Sequence, residues 1–463
     1  MDGSETVNRD EGNSPGQVRP LSKVFVNPVA PLHEIVKRVI ATMDRGPDVV
    51  AVIGLPKRVY CFRHPEAIAQ IFTDRETGGA KYLPRVAWLH WFYRSGGFAR
   101  PIDDVWRQRR RAVQPSFSQE ALTSILPAFQ AVVEERTADW CARLRGNREI
   151  TVDMFRECWE MIVDANFRAF FSTILGDRLT EVTSMSQYVE RNFVQPLPLW
   201  LPLNRNRRFK RDGGGLRQLF GELLARRRTE GGGGKRDVLN LLITESQEGS
   251  SLAGDEAIVD EMASLYFGMC VMAVSLTWGM YLIASHRDVQ AQVRAEADQF
   301  AQSGTETRIR RSLGYHYTNQ VFHEIARLLP PVWGLPRYTT EPAEIMGHAI
   351  PAKSVVVPMV YLAHRDERFW RNAKQFDPER FSADGTTPEK SPAYFPYGLG
   401  IRKCSGANIA PTLMQLVPLA MLSQIEMEFV PRFPGDPVQE FGFEIIPRDG
   451  LPVTLRLRNK AVP

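Results

Sequence analysis

Cysteine is scarce in this chain. Its five residues, Cys61, Cys141, Cys158, Cys270 and Cys404, stand far apart with no CxxC pair. That pattern supports neither a disulfide framework nor a clustered zinc site, and it fits a reducing cytoplasm. A large excess of charge is missing too. A formal net charge of +5 over 463 residues excludes a uniformly basic nucleic-acid binder and implies local basic patches. Residues 1–22 hold no apolar run of the signal-peptide or anchor type and read as a flexible polar tail. No internal repeat is evident. Neither glycine run, DGGG at 212–215 or EGGGG at 230–234, follows a strand as a phosphate-binding loop requires. Both read as flexible loops around a short helical stretch, LRQLFGELLARRR.

What is present is enough apolar sequence, 43% of residues, to bury a large core. Residues 48–63, DVVAVIGLPKRVYCFR, carry β-branched runs around a Gly-Leu-Pro turn and predict a hairpin, after which HPEAIAQIF starts a helix. From 106 to about 300 apolar residues recur at helical spacing and strand signals are sparse. Beyond 335 the pattern turns to short β-rich pieces. PLPLWLPLNR, 196–205, reads as an apolar connecting loop that either packs on the body or reaches a membrane surface or pocket mouth. Residues 262–285 contain no charge and are long enough to span a bilayer. They stand alone in mid-chain and run into an amphipathic continuation, HRDVQAQVRAEADQF, which favours a fully buried core helix.

The chemistry concentrates at FPYGLGIRKCSGANIA, residues 395–410. A lone thiolate is a soft, strongly donating ligand, and the iron of a heme gains reactivity from one cysteine rather than a cluster. Gly398, Gly400 and Gly406 let the chain turn tightly beside a flat macrocycle, and the apolar run after Cys404 reads as a helix. A sulfur near that helix's N-terminus is expected to have a lowered pKa.

The run Tyr397-Gly398-x-Gly400-x-Arg402-x-Cys404-x-Gly406 resembles the heme-binding loop of the cytochrome P450 family, with Tyr at the usual Phe position. Other landmarks follow in order over about residues 25 to 460. Glu324-x-x-Arg327 resembles the family's helical signature pair, and Arg380 in DPERF matches the arginine that completes a structural Glu-Arg-Arg network. Trp106 and Arg110 match the helix that holds a heme propionate, with Arg337 and Arg402 at the other propionate positions. Of the run Arg107 to Arg111, only Arg110 is assigned inward. The resemblance implies one domain, 23–463, mainly α with a smaller β-rich part. Heme b lies buried between the long uncharged helix and the cysteine loop, with Cys404 as the metal ligand.

The sequence departs from the family where oxygen is activated. Phe267-Gly268-Met269-Cys270-Val271-Met272 stands where an Ala/Gly-Gly-x-Asp/Glu-Thr-Thr/Ser pattern is usual, so Gly268, Cys270 and Val271 occupy the catalytic positions without the acid or the alcohol. Ser275 is a substitute if the helix register shifts locally. Pro411 and Leu413 are smaller departures. Trp88, Trp91, Phe92 and Tyr93 lie in the region that covers substrate in the family, and Phe267, Val271, Val332 and Trp333 match the distal wall. The resemblance therefore implies an oxidase of a fairly large apolar or aromatic biosynthetic intermediate. Its electrons come from a separate ferredoxin or flavodoxin, steered to Lys403 and the Arg107 to Arg111 run, since no flavin or iron–sulfur segment is fused to the chain. Two alternatives stay open: a non-hydroxylating catalyst of coupling, cyclisation, rearrangement or peroxide-driven oxidation, and a non-catalytic heme or accessory protein.

Overall fold

A computed structural model describes residues 21–73, 91–94, 96–97, 100, 102–194, 197–231, 234–235, 237–246, 249–303, 316–382 and 391–458. The hairpin at 48–63 forms as β2 (Val49–Ile53) and β3 (Val59–Phe62), and it joins β1 (Ser22–Phe25), β5 (Arg337–Tyr338) and β8 (Val355–Pro358) in a sheet of order β1-β2-β3-β8-β5. Strand alternation decides what each face buries. Val50, Val52, Val355 and Val357 meet α1 (Leu32–Met43), while Val49, Phe62 and Val356 pack with Ile71 of α2 (Pro65–Thr73). Three smaller sheets follow: β4 (Ile150–Asp153) with β12 (Pro452–Leu457) and β9 (Ile425–Phe429), β6 (Ala343–Ile345) with β7 (His348–Ile350), and the hairpin of β10 (Gln439–Phe441) and β11 (Ile445–Pro447).

The helical part comprises α3 (Asp104–Val113), α4 (Gln119–Arg145), α5 (Met154–Phe171), α6 (Leu179–Arg191), α7 (Asn204–Thr229), α8 (Val238–Thr244), α9 (Asp255–Ser285), α10 (Arg287–Gln302), α11 (His316–Leu328), α12 (Val360–Ala363) and α13 (Ala410–Leu422). At its centre runs α9, the described helix long and apolar enough to cross a bilayer, with 78% of its most apolar stretch buried inside the protein. It packs on α5, α7, α11 and β9, so its uncharged surface is protein core.

One sequence expectation changes. Gly213, Gly214 and Gly215 are not in a loop: they lie inside α7. Glycine costs about 1 kcal/mol in a helix interior relative to alanine, and close packing offsets it. A Cβ on Gly213 would stand 3.1 Å from the rings of both Phe92 and Trp91, and one on Gly215 would stand 3.1 Å from Met185 Sδ. Pro411, for its part, sits in the first turn of α13, where its missing N–H has no intrahelical partner to lose. The connecting segment 197–203 is irregular as expected, and Trp200 projects from it 76% exposed.

Candidate active site

Three turns in succession shape the cysteine loop. The N–H groups of Gly398, Lys403 and Cys404 donate to the carbonyls of Phe395 (3.1 Å), Gly400 (3.0 Å) and Tyr397 (2.9 Å). Gly400 is obligatory, because its φ is +69° and a Cβ would fall 2.4 Å from the Phe72 carbonyl oxygen. Cys404 caps a 3-10 turn, Ser405–Asn408, and α13 begins only at Ala410. The amides nearest the sulfur are thus those of Gly406 and Ala407 in the turn, rather than a helix N-terminus. Burial pushes the thiol up, against the pull of those amides, Arg110 and Lys403, so the lowered pKa expected from sequence is not found. By surface area Cys404 is exposed, yet desolvation dominates its titration, as for a sulfur set in a recess.

Beside this loop lie two guanidinium groups, Arg337 buried and Arg402 half-buried. Arg337 is 5% exposed, and its Nε has no hydrogen-bond partner among the described residues; its Nη1 reaches only the Leu335 and Pro336 carbonyls, both at 3.2 Å. Desolvation, then the Arg402 charge, depresses its pKa to about 9. Arg402, depressed to about 10 by desolvation and then by Arg110, lies over the Trp106 ring at 5.0 Å, and its Nε likewise has no partner among the described residues. The Asp103 charge and the Arg100 carbonyl partly offset Arg402, yet two like charges placed so close, one of them buried, remain costly. The arrangement fits a group carrying two carboxylates, as the propionates of a heme are, next to a thiol that can ligate its iron. Arg110 turns onto the loop itself and donates to Ser405 Oγ and, at 2.7 Å, to the Lys403 carbonyl. Arg109 does not face outward as expected: it is 4% exposed, donates twice to the Ser251 carbonyl (2.7 and 3.1 Å) and stands 3.7 Å from Glu261.

Behind the loop, Glu324 and Arg327 are fully buried and paired through two hydrogen bonds of 2.6 and 2.7 Å. Arg327 also donates to the carbonyls of His364 (2.5 Å), Ala373 (2.7 Å) and Gln375 (3.1 Å), while Arg380 approaches Glu324 at 3.5 Å. Sequence reasoning missed His364. Its Nε2 accepts the Phe395 N–H at 2.8 Å, which makes Nδ1 the protonated nitrogen, donating to the Arg327 carbonyl at 3.1 Å. A neutral imidazole thereby ties the Glu-Arg pair to the first residue of the cysteine loop. Nothing in the local pattern around position 364 separates such a histidine from an ordinary surface one.

On α9, exposure follows one stripe. Gly268 is open, with nothing within 4 Å of where a Cβ would stand, and Leu265, Val271 and Ser275 are half-buried on the same face while their neighbours are buried. The helix is continuous from Asp255 to Ser285, so Ser275 reaches this stripe without a register shift. Phe267 turns aside into an aromatic cluster, with ring centroids 4.9 Å from Phe92, 5.1 Å from Phe193 and 5.1 Å from Tyr266. Val332 is half-buried in the segment before β5, whereas Trp88 lies outside the described residues.

Cys270 leaves the stripe and joins a buried polar ladder between α6 and α9. One rung is Ser186 with Tyr266, their hydroxyls 2.7 Å apart; the next, one turn on along both helices, is Glu190 with Cys270. Glu444, from the turn between β10 and β11, shares a hydrogen bond with Glu190. Burial raises Cys270 well above its ordinary range, and the Glu190 charge adds to the effect.

The comparisons agree with this arrangement. Residues 20–448 match the family model described as cytochrome P450. Relatives include cyclooctatin synthase of Streptomyces melanosporofaciens, 28% identical over 85% of this chain and 85% of its own. Cyclooctat-9-en-7-ol 5-monooxygenase of the same organism is 26% identical over 91% and 90%. Pentalenene oxygenase of Streptomyces avermitilis is 25% identical over 89% and 90%. Among solved structures, a cytochrome P450 crystal structure superposes with a TM-score of 0.79 at 22% identity over 91% of this chain and 98% of its own, and a retinoic-acid-bound cyanobacterial one with 0.81 at 19% over 95% and 100%. With almost its whole length matched, the chain belongs to the cytochrome P450 family and is a heme-iron oxidoreductase of that family.

Proposed function

We propose that the chain binds heme b through Cys404 and oxidises a large, mostly apolar, terpenoid-like biosynthetic intermediate, using O2 and electrons from a separate ferredoxin- or flavodoxin-type donor in the cytoplasm. The observation that carries the cofactor assignment is the guanidinium pair, Arg337 and Arg402, whose buried Nε atoms find no partner among the described residues, beside the cysteine of the glycine loop. When bound, the heme supplies oxidation of unactivated carbon. The chain's own residues do the rest. Arg337, Arg402 and Trp106 orient the group, and Gly406 and Ala407 direct amides at the sulfur. Phe92, Phe193 and Phe267 pack into a buried aromatic cluster that fixes the helix backbone next to Gly268. The substrate class draws support from relatives named for the oxidation of cyclooctat-9-en-7-ol and of pentalenene. Reduction with dithionite under carbon monoxide is expected to give the red-displaced absorption typical of anionic sulfur coordination, and terpenoids are expected to shift the spin state of the ferric protein. Loss of that absorption in otherwise heme-replete protein overturns the proposal.

A second reading is favoured by one observation: Val271, not an alcohol, occupies the exposed stripe, and Cys270 faces away from it. On that reading the chain couples, cyclises or rearranges its substrate, or takes oxygen from peroxide. Turnover under labelled dioxygen decides, since hydroxylation places one labelled atom in the product and the alternatives place none.

A further inference from the structure

The polar ladder ends in a feature that the binding of heme does not use. Glu190 on α6 and Glu444 in the β10–β11 turn are 4% and 3% exposed. Glu190 Oε2 and both Glu444 carboxyl oxygens are buried with no N–H or O–H donor from any other described residue. The two groups can satisfy one another only by holding a proton between them; burial raises the pKa of both, and the Glu444 carboxyl raises Glu190 further while the hydrogen bond from Glu190 pulls Glu444 partly back. Even so, acceptor positions remain unfilled, which is costly in a buried setting.

Both carboxyls line one cleft of about 250 Å³ between α5, α6 and the β10–β11 hairpin. Arg191 and Arg208 stand in the same cleft. The pair adjoins the buried aromatic cluster around Phe267. Phe443 precedes Glu444, and its ring meets Phe193 at 6.1 Å; Phe193 in turn contacts Phe267 at 5.1 Å and Tyr93 at 5.3 Å. Phe155 and Phe443, both half-buried, line the cleft, so a ligand in it would have a hydrocarbon surface on one side and a pair of hydrogen-bonding carboxyls on the other.

We propose that Glu190 and Glu444 form a substrate-anchoring site that takes a hydroxyl group carried on an otherwise apolar, polycyclic substrate. A hydroxyl both donates and accepts, so it fits a carboxyl pair that retains a proton. An ammonium group fits less well, because the pair is not a free dianion and two arginines share the approach. The inference rests on the P450 reading above and deepens it. It also implies that a reaction installing a hydroxyl precedes this one.

The test uses the heme-loaded full chain and four rigid probes: adamantane, 1-adamantanol, 1-methoxyadamantane and 1-adamantanamine. Binding is measured by calorimetry as well as by the spin-state spectrum. The alcohol is expected to bind at least about tenfold tighter than the hydrocarbon and the methyl ether, as one hydrogen bond to a charged acceptor allows. In Glu190→Leu/Glu444→Leu, which replaces the pair by apolar side chains of similar size, the preference should fall to within about twofold while the hydrocarbon binds at least as well. Glu190→Gln, which imitates the protonated acid, should keep most of the preference. Should the double variant fail to fold, the single variant Glu444→Leu serves, with the carbon monoxide spectrum reporting an intact site, and the preference should again shrink. Equal affinity for alcohol and hydrocarbon, no measurable binding of the alcohol, tighter binding of the amine, or a preference unchanged in the leucine variants would each overturn the inference. The P450 reading fails separately, by loss of the thiolate–carbon monoxide absorption in the wild-type protein.

Discussion

Replacing His364 with glutamine should remove a specific part of the protein's acid sensitivity. The imidazole is fully buried, and its pKa is depressed to about 3, chiefly by desolvation and then by the Arg327 charge. In the unfolded chain it titrates near the ordinary value of 6.5. A folded pKa below the unfolded one means that the unfolded state binds more protons as pH falls, so stability is full above about 6.5 and is lost on acidification. At pH 5 the unfolded group lies about 1.5 units below its pKa; at 1.36 kcal/mol per unit, the loss is about 2 kcal/mol. Glutamine can accept the Phe395 N–H and donate to the Arg327 carbonyl, as the neutral ring does, but it does not titrate. Denaturant unfolding of both heme-loaded proteins between pH 7.5 and 5 checks this. The wild type should lose about 2 kcal/mol more than His364→Gln over that range. Parallel pH profiles would refute the assignment of a neutral, doubly hydrogen-bonded imidazole. Buried acids such as Glu190, Glu261 and Glu444, raised by burial, act in the opposite sense but cancel in the comparison.

Gly400→Ala should give protein with little bound heme, because the new Cβ meets the Phe72 carbonyl at 2.4 Å in a left-handed conformation; heme content per chain is the measurement. Arg327→Met strands the Glu324 carboxylate and three carbonyls in the core. A cost of about 3–5 kcal/mol against a total stability of about 5–15 kcal/mol should appear as a large drop in the denaturation midpoint. Arg337→Leu should speed heme transfer to apomyoglobin about tenfold or more, by removing a buried cation suited to a carboxylate, while leaving the carbon monoxide absorption maximum in place.

Much of this was legible in the residues because the signals were local. The glycine spacing around Cys404, the alternation of 48–63 and the missing charge of 262–285 each follow from backbone sterics or burial along one segment. What escaped depends on packing between distant segments. The glycines of α7 read as a loop by propensity, and only Phe92, Trp91 and Met185 pressing on them explain the helix. Arg109 reads as one of a solvated run until Ser251 and Glu261 meet it. His364 and the Glu190–Glu444 pair are single residues with ordinary neighbours in sequence, and their chemistry comes from residues 31 to 254 positions away. The Cys404 thiol shows a competition that spacing alone cannot weigh, since amides and cations pull its pKa down while burial wins.

Helix α9 gives the sharpest remaining contest. The stripe formed by Leu265, Gly268, Val271 and Ser275 holds a single hydroxyl, that of Ser275, in unbroken α-helical register. Cys270 cannot compete for that role, because it is fully buried and joined to Tyr266 and Glu190 on the far side of the helix. If Ser275 Oγ holds the proton-carrying water above the cysteine, Ser275→Ala should cut the fraction of consumed electrons recovered in product by about tenfold or more, the low end of what positioned proton donors supply scaled to a partly solvated site. Val271→Thr should raise that fraction by placing a second hydroxyl one turn away. The assay compares reductant consumed with product formed, so a change in substrate affinity alone leaves it unmoved. If both variants couple electrons to product as the wild type does, proton delivery does not run along this stripe. The non-hydroxylating or peroxide-driven chemistry then becomes the better account of Val271.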